Sequence, residues 1–377
     1  TRGEILPVYK DTNISDKYNS IKCTDIAYFE NSDYSNYTIV GGFNITKNEP
    51  VNIETFLGAG SDIYVSENNL YIVQDNFKVN SSSKIYKFEL NEAKVTLIAN
   101  GEVLGTVNNQ FSMDEYNGNL RIATTVRTQI SPDIDTIDGD IVTHTLGETE
   151  ITTRLTIFDE NLNQIGVIEN LAKDEEIKSV RFMGELGYVV TFEQIDPLFV
   201  IDLSDPKKPT IKGELKIPGY SSYLHMYDEN HVIGIGYNTK SNGYGGVTND
   251  NMKMSMFDVS DRSNPKEMFS IDIGKGYTHS PINYNHKVLF YNKEENLIGF
   301  PINNYSYRND SYQFVIFKID LENGFEIYTD KLISANYSEE IKRVIYIENI
   351  LYTISSEEIV SYDLNSITEI KKLDLED

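Results

Sequence analysis

The sequence predicts an all-β fold built from repeated four-stranded antiparallel modules, and three observations predict it. The first is a short apolar segment closing on an acid or amide, which returns at intervals of 43 to 70 residues. It reads Thr38–Asn44 (TIVGGFN), Ile85–Glu89 (IYKFE), Leu155–Asp159 (LTIFD), Leu198–Asp202 (LFVID), Met254–Asp258 (MSMFD), Val315–Asp320 (VIFKID) and Ile359–Asp363 (IVSYD). The shortest of these intervals is near the length of a four-stranded module, and self-similarity on that scale marks a repeat architecture. The second is what precedes each segment after the first: two apolar stretches joined by a polar turn. The third is composition, with 26 Tyr and 17 Phe among 40% hydrophobic residues, a choice that suits a pleated, half-buried surface.

Taken in order, the first module is incomplete, with strands near Asp25–Phe29, Thr38–Asn44 and Val51–Phe56. The second pairs Ile63–Val65 with Leu70–Val73 and runs through Ile85–Glu89 to an outer strand at Lys94–Ala99. The third pairs Phe111–Met113 with Leu120–Ala123 and ends on Gln164–Glu169. The fourth pairs Arg181–Met183 with Tyr188–Val190 and ends on Thr210–Leu215. The fifth joins Leu224–Met226 to Val232–Ile235 and ends on Lys266–Ile273. The sixth joins Leu289–Tyr291 to Leu297–Phe300 and ends on Glu326–Ile333. The last pairs Ile345–Ile347 with Leu351–Ile354 and ends on Glu369–Leu373. The turns inside the pairs are rich in Asn, Gly, Asp and Glu, which is hairpin chemistry.

A sheet with two apolar faces needs a neighbour on each, and closing a row of sheets into a ring supplies one for all of them. The expected fold is a β-propeller of four-stranded antiparallel blades. One domain spans residues 1–377, with seven blades counted, the first incomplete, and six or eight as the alternatives. Trp is absent, which argues against a WD-type repeat. The chain opens on Thr1, so the expectation is a piece of a longer protein. Short helices are expected in connections, at Leu171–Glu176 and Ser338–Lys342. Two long polar connections, 127–150 and 238–251, interrupt second and third strands, and repeat insertions of this kind often form a binding face.

The formal charge is −25, from 58 acids against 33 bases. That balance repels phosphate backbones and anionic headgroups, so nucleic acid is excluded as a partner. No apolar run is long enough to span a membrane, so no membrane insertion is expected. Cys23 is the single cysteine, which rules out an internal disulfide. The acids Asp133, Asp135, Asp138 and Asp140, with Gly139 between the last two, offer the oxygens a hard cation needs. Ca²⁺ is one reading of that stretch and an acidic solvated loop is the other; no other cofactor is expected.

The runs at 111–125 (FSMDEYNGNLRIATT), 180–206, 220–236, 285–302 (NHKVLFYNKEENLIGFPI) and 343–355 resemble one family over nearly the whole chain. It comprises secreted bacterial and archaeal proteins described as carrying a C-terminal β-propeller domain. The resemblance implies export or attachment to the cell surface and a domain extending further toward the N terminus. It supplies no catalytic residues. The phrases LSDPKKP (Leu203–Pro209) and VSDRSNP (Val259–Pro265) are similar to LVIVD-type propeller repeats, and their Asp-Pro and Asn-Pro chemistry makes the turn after a third strand.

The five histidines show no pair at metalloprotease spacing, and no G-x-S-x-G elbow is present. His225 falls in a first-strand column that is mostly aromatic, so it is either a packing or channel-lining residue or a ligand or base. Arg181 and Arg343 lie in or beside innermost strands, where they either bind an anion or pair with acids between blades. The acids that close third strands are tempting as a carboxylate ring, but a carboxylate at a strand end accepts the N–H groups of the following turn. The expected function is an extracellular, non-catalytic binding or scaffold domain, monomeric, whose ligand is a protein or a cell-wall glycan. The alternative is a polysaccharide lyase or hydrolase working through a central channel.

Overall fold

The structure, a computed structural model, describes residues 6–375 apart from 29–34, 59, 61, 77, 79, 81, 130–135, 138–139, 142–148, 193–195, 242, 244–245, 275–276, 306–309 and 335–339. Among the described residues the helical pieces are three-residue 3-10 turns, and strands form the rest of the regular structure. Two compact units are present: Thr1–Glu176 with Ser204–Pro209, and Ile177–Leu203 with Thr210–Asp377.

In the first unit, Val8–Tyr9 and Asn19–Ser20 make a small hairpin. A three-stranded sheet follows, in the order Ile26–Tyr28, Asn52–Leu57, Tyr37–Gly42. Its first pair is parallel, with Ile26 opposite Thr55, so this module is not the meander expected from its three segments. The next sheet is a meander of Asp62–Val65, Asn69–Gln74, Ser82–Asn91 and Lys94–Leu104. The third has Thr106–Val107 and Met113–Tyr116 both paired to Asn119–Gln129, followed by Thr149–Phe158 and Gln164–Ile168.

Its first strand starts later than expected. Asn109 accepts a hydrogen bond from the Phe111 N–H at 2.9 Å and caps a 3-10 turn at Gln110–Ser112. A capped turn satisfies locally the backbone groups a ladder would otherwise use. The hairpin then closes through Asn117 and Gly118, both at positive φ, which is the two-residue turn that matches strand twist.

The second unit repeats the meander. One sheet runs Glu176–Met183, Leu186–Phe192, Asp196–Asp202, Thr210–Ile217, and the next Tyr220–Met226, His231–Ser241, Val247–Asp258, Lys266–Ile273. In the following sheet Tyr277–His279 and Phe290–Asn292 both pair with Leu297–Tyr305, which leads to Ser311–Asp320 and Gly324–Ser334. The last comprises Arg343–Ile347, Ile350–Ile354, Glu358–Asp363 and Glu369–Asp374.

Two connections differ from expectation. The polar stretch 238–251 is mostly ladder, with Lys240 opposite Thr248 and Ser241 opposite Val247. Its Asn and Thr residues extend a hairpin into solvent instead of looping. Leu171–Glu176 is not helical, because its backbone groups are taken by a neighbouring strand. Leu171 N–H donates to Thr153 O at 2.8 Å and Asp174 N–H to Ile151 O at 2.7 Å. Part of Ser338–Lys342 lies outside the described residues.

The packing explains why the sheets read as nearly continuous apolar runs. Every residue of Asn69–Gln74 is buried, and successive side chains point to opposite faces. Tyr71 and Val73 join Met113, Leu120, Ile122 and Phe158 of the following sheet. Leu70 and Ile72 join Phe56 of the preceding one. In the second unit, Tyr188, Val190 and Val200 meet Leu224, Val232 and Phe257 in the same manner. Phe290, Phe314 and Ile316 meet Val344 and Leu351.

A second lock recurs where outer strands meet the Pro-containing turns. A Cβ on Gly166 would sit 2.1 Å from the Pro206 carbonyl oxygen, and one on Gly213 would sit 2.4 Å from that of Arg262. These glycines are bare because a turn lies directly on them. Gly→Ala in an ordinary extended segment stabilises by about 0.4–1 kcal/mol through the unfolded chain. At Gly166 the sign is expected to reverse, with a loss of about 1–3 kcal/mol from forced overpacking. Urea unfolding checks this, and an unchanged or raised midpoint for Gly166→Ala would refute the lock.

Candidate functional site

The acids that close third strands are turn caps. The Asp159 carboxylate accepts the N–H groups of Asn161 and Asn163 at 2.9 and 2.8 Å, and Asp258 accepts that of Ser260 at 2.9 Å. Asp320 accepts from Glu322 and Asn323, and Asp363 from Asn365 and Ser366. Hydrogen bonds hold all four carboxyls below the usual range: foremost the side chains of Asn163, Ser260 and Asn323 for the first three, and the Ser366 backbone N–H for Asp363. Asp202 instead pairs with Lys212 at 2.9 Å. These groups are committed to local structure and do not form a shared carboxylate site.

Asp133, Asp135 and Asp138 lie outside the described residues, and of Asp140 only the backbone of its short strand with Ile141 is described. Among the described residues no three His, Cys, Asp or Glu side chains gather as metal ligands. Nor is any described helix long and apolar enough to cross a membrane. Cys23 is exposed.

The first strands of three sheets in the second unit carry the candidates Arg181, His225 and Arg343. His225 is half-buried, its ring 4.3 Å from that of Tyr291 in an edge-to-face contact and 6.2 Å from Tyr223. The Tyr223 hydroxyl lies 3.3 Å from His225 Nδ1. Burial, and then the Arg181 guanidinium, push the His225 pKa down to about 4, so the ring is neutral at pH 7. Burial pushes the Tyr291 hydroxyl up to about 12. The rings around this neutral imidazole, Tyr223 and Tyr291, are not members of the first-strand aromatic column seen in the sequence.

Sequence reasoning missed a fourth participant. His286 opens the 3-10 turn His286–Val288, which the Asn285 side chain caps by accepting the Lys287 N–H at 3.2 Å. Its pKa is lowered by burial first, then by Lys287, Arg181 and Arg343. Both arginines named from the sequence thus act on one ring, although they come from strands more than 150 residues apart. The signal available beforehand was the Asn-His-Lys run immediately ahead of a first strand. The charged groups that shift these two histidines are all cations, in a chain whose net charge is −25. This cluster differs locally from the chain's overall sign, with Asp228 acting on the adjoining Tyr291 hydroxyl. Its chemistry suits an anion: guanidinium forks match carboxylate and phosphate geometry.

Arg121, in the first unit, is an arginine whose pairing is explicit. It is 3% exposed, donates from Nε to Asp114 at 3.0 Å, and lies over the Tyr116 ring. That arginine is spent inside the fold.

Residues 1–367 match the family described as Beta propeller domain. The chain belongs to that family. The propeller is 38% identical over 315 residues to an uncharacterised protein of Archaeoglobus fulgidus, covering 82% of this chain and 42% of that protein. It is 34% identical over 288 residues to the uncharacterised protein MJ1554 of Methanocaldococcus jannaschii, covering 75% of this chain and 40% of that one. The propeller therefore spans about two fifths of the length of these relatives. Among solved structures it is similar to BamB from Moraxella catarrhalis, with a TM-score of 0.41 and 10% identity, over 83% of this chain and 75% of that one.

Proposed function

We propose that this propeller is an extracellular, non-catalytic binding module. Its cluster of Arg181 and Arg343 on first strands and Lys287 in the 3-10 turn, set beside the rings of His225 and His286, recognises an anionic group on a cell-wall glycan. A uronate carboxylate or a phosphodiester is the chemistry that fits. The observation that carries the reading is that Lys287, Arg181 and Arg343 all lower the pKa of one ring, His286, in a strongly acidic chain. Against such a background, neutral or cationic ligands have no reason to choose this patch, while an anion gains charge-assisted hydrogen bonds. A non-catalytic role is supported by His225, whose pKa of about 4 makes it a weak base at neutral pH.

Calorimetric titration with oligogalacturonate, a teichoic-acid fragment and a neutral oligosaccharide tests this. Binding is expected for the anionic probes and not for the neutral one. Arg343→Ala, at an exposed position, is expected to weaken it about tenfold, the worth of a charged hydrogen bond. Because both histidines titrate below their ordinary value, affinity is expected to stay nearly flat between about pH 7 and 8. Equal binding of the neutral oligosaccharide, an affinity that climbs as pH falls through that window, or turnover of any probe would overturn the reading.

A further inference from the structure

We propose that a divalent first-row transition ion binds where the sheet 277–334 meets the last sheet, held by the His279 imidazole, the Asn303 amide oxygen and the Glu340 carboxylate. Asn303 is 3% exposed and Glu340 8%. Asn303 Nδ2 donates to Glu340 Oε1 at 2.7 Å. The other end of that amide, Oδ1, is buried and accepts from no donor among the described residues. No described Lys or Arg pairs with Glu340, whose hydrogen bond from Asn303 is its only one among these residues. A buried carboxylate without a counter-charge is costly, and so is a buried carbonyl without a donor. Reversing the amide would set its oxygen against the carboxylate, so rotation relieves neither. One cation answers both.

The topology brings in the third donor. Tyr277–His279 pairs antiparallel with Leu297–Tyr305, and His279 lies directly opposite Asn303. Residues placed so share a face, with Cβ atoms about 4.5–5.5 Å apart. Strand alternation puts Asn303 on the face of Leu297, which packs with Phe314 and Ile316 on Val344 and Leu351 of the last sheet. Glu340 comes to that face from the connection leading into Arg343–Ile347. It is the charged group that acts on His279, raising a pKa that burial lowers first. The ring is therefore mostly neutral at pH 7, the form that ligates metals.

Chemistry selects the occupant. One imidazole nitrogen with two oxygens suits Zn²⁺ or Mn²⁺, while an all-oxygen set would suit Ca²⁺ or Mg²⁺. The bond between Asn303 and Glu340 orients the carboxylate, as outer partners of metal ligands do. No described residue hydrogen-bonds the His279 ring, which lies 5.7 Å from that of Tyr284. Tyr284 is exposed, so an ion reaches the site from the His279 side. The acidic field of the chain draws divalent cations toward it.

The test adds Zn²⁺, Mn²⁺ or K⁺ to the 377-residue chain after chelation. Calorimetry is expected to show one saturable Zn²⁺ site, weaker Mn²⁺ binding and no K⁺ binding, with a melting temperature that rises with Zn²⁺. Mn²⁺ is expected to broaden the ring resonances of one histidine, which are missing from His279→Ala. Glu340→Gln keeps an acceptor for Asn303 and is expected to weaken Zn²⁺ binding more than about 100-fold, beyond the loss of an outer partner. Asn303→Asp separates ligation from packing. It sets two carboxylates face to face, so the metal-free protein is expected to melt lower and the rise with Zn²⁺ to be larger than in the unaltered chain. No saturable Zn²⁺ site, an unaltered affinity in both Glu340→Gln and His279→Ala, or an Asn303→Asp melt that Zn²⁺ does not raise would overturn the proposal.

Discussion

Asp114→Ala is expected to cost about 3 kcal/mol of unfolding free energy, although it removes only one small side chain. Its partner Arg121 is 3% exposed and receives its counter-charge from Asp114. Removing one member of a buried pair leaves the other charge desolvated and without that counter-charge, which costs up to about 3–5 kcal/mol. Asp114 keeps about a quarter of its surface in solvent, so water can reach part of the gap and the lower end applies. The double variant D114A/R121M separates this account from simple loss of packing. It is expected to recover most of the deficit, because apolar replacement of both members of a buried pair is often neutral. Urea denaturation of the three variants measures the cycle, and a double variant no more stable than Asp114→Ala would refute it.

Phe314→Ala is expected to cost about 3–5 kcal/mol. The ring is fully buried and sits in the cluster that joins the sheet 277–334 to the last one, beside Phe290, Val344 and Leu351. It also covers Gly299 on the neighbouring strand, where a Cβ would lie 2.9 Å from Phe314 Cε1. Truncation therefore empties space on one side and uncovers a residue with no side chain to fill it. The effect is expected to appear as a lowered denaturation midpoint with native far-ultraviolet dichroism. A loss below about 1 kcal/mol would show that the two sheets collapse onto the gap more readily than their packing suggests.

Most of the sheets were legible in the sequence because their middle strands are buried on both faces. A run such as Ile85–Glu89 then announces itself without any need for alternation. The misreadings arise where hydrophobicity is silent. The ribbon from Lys240 to Thr248 is polar on both faces, so nothing distinguishes its ladder from a loop. The shift from Phe111 to Met113 depends on one Asn cap, and the parallel pairing of Ile26–Tyr28 with Asn52–Leu57 joins segments that no local pattern links. At the candidate site, Arg181, His225 and Arg343 were visible as first-strand residues. Their common relation to His286 was not, because it is set by how separate sheets stack.

The contact between Gly166 and the turn at Pro206 makes an outer strand's surroundings the work of sequence some 40 residues further on. During synthesis from the N terminus, that strand leaves the ribosome before the cover it requires. Where this contact recurs, as at Gly213 against Arg262, a repeat is finished by its successor, which binds the order of assembly to the direction of translation.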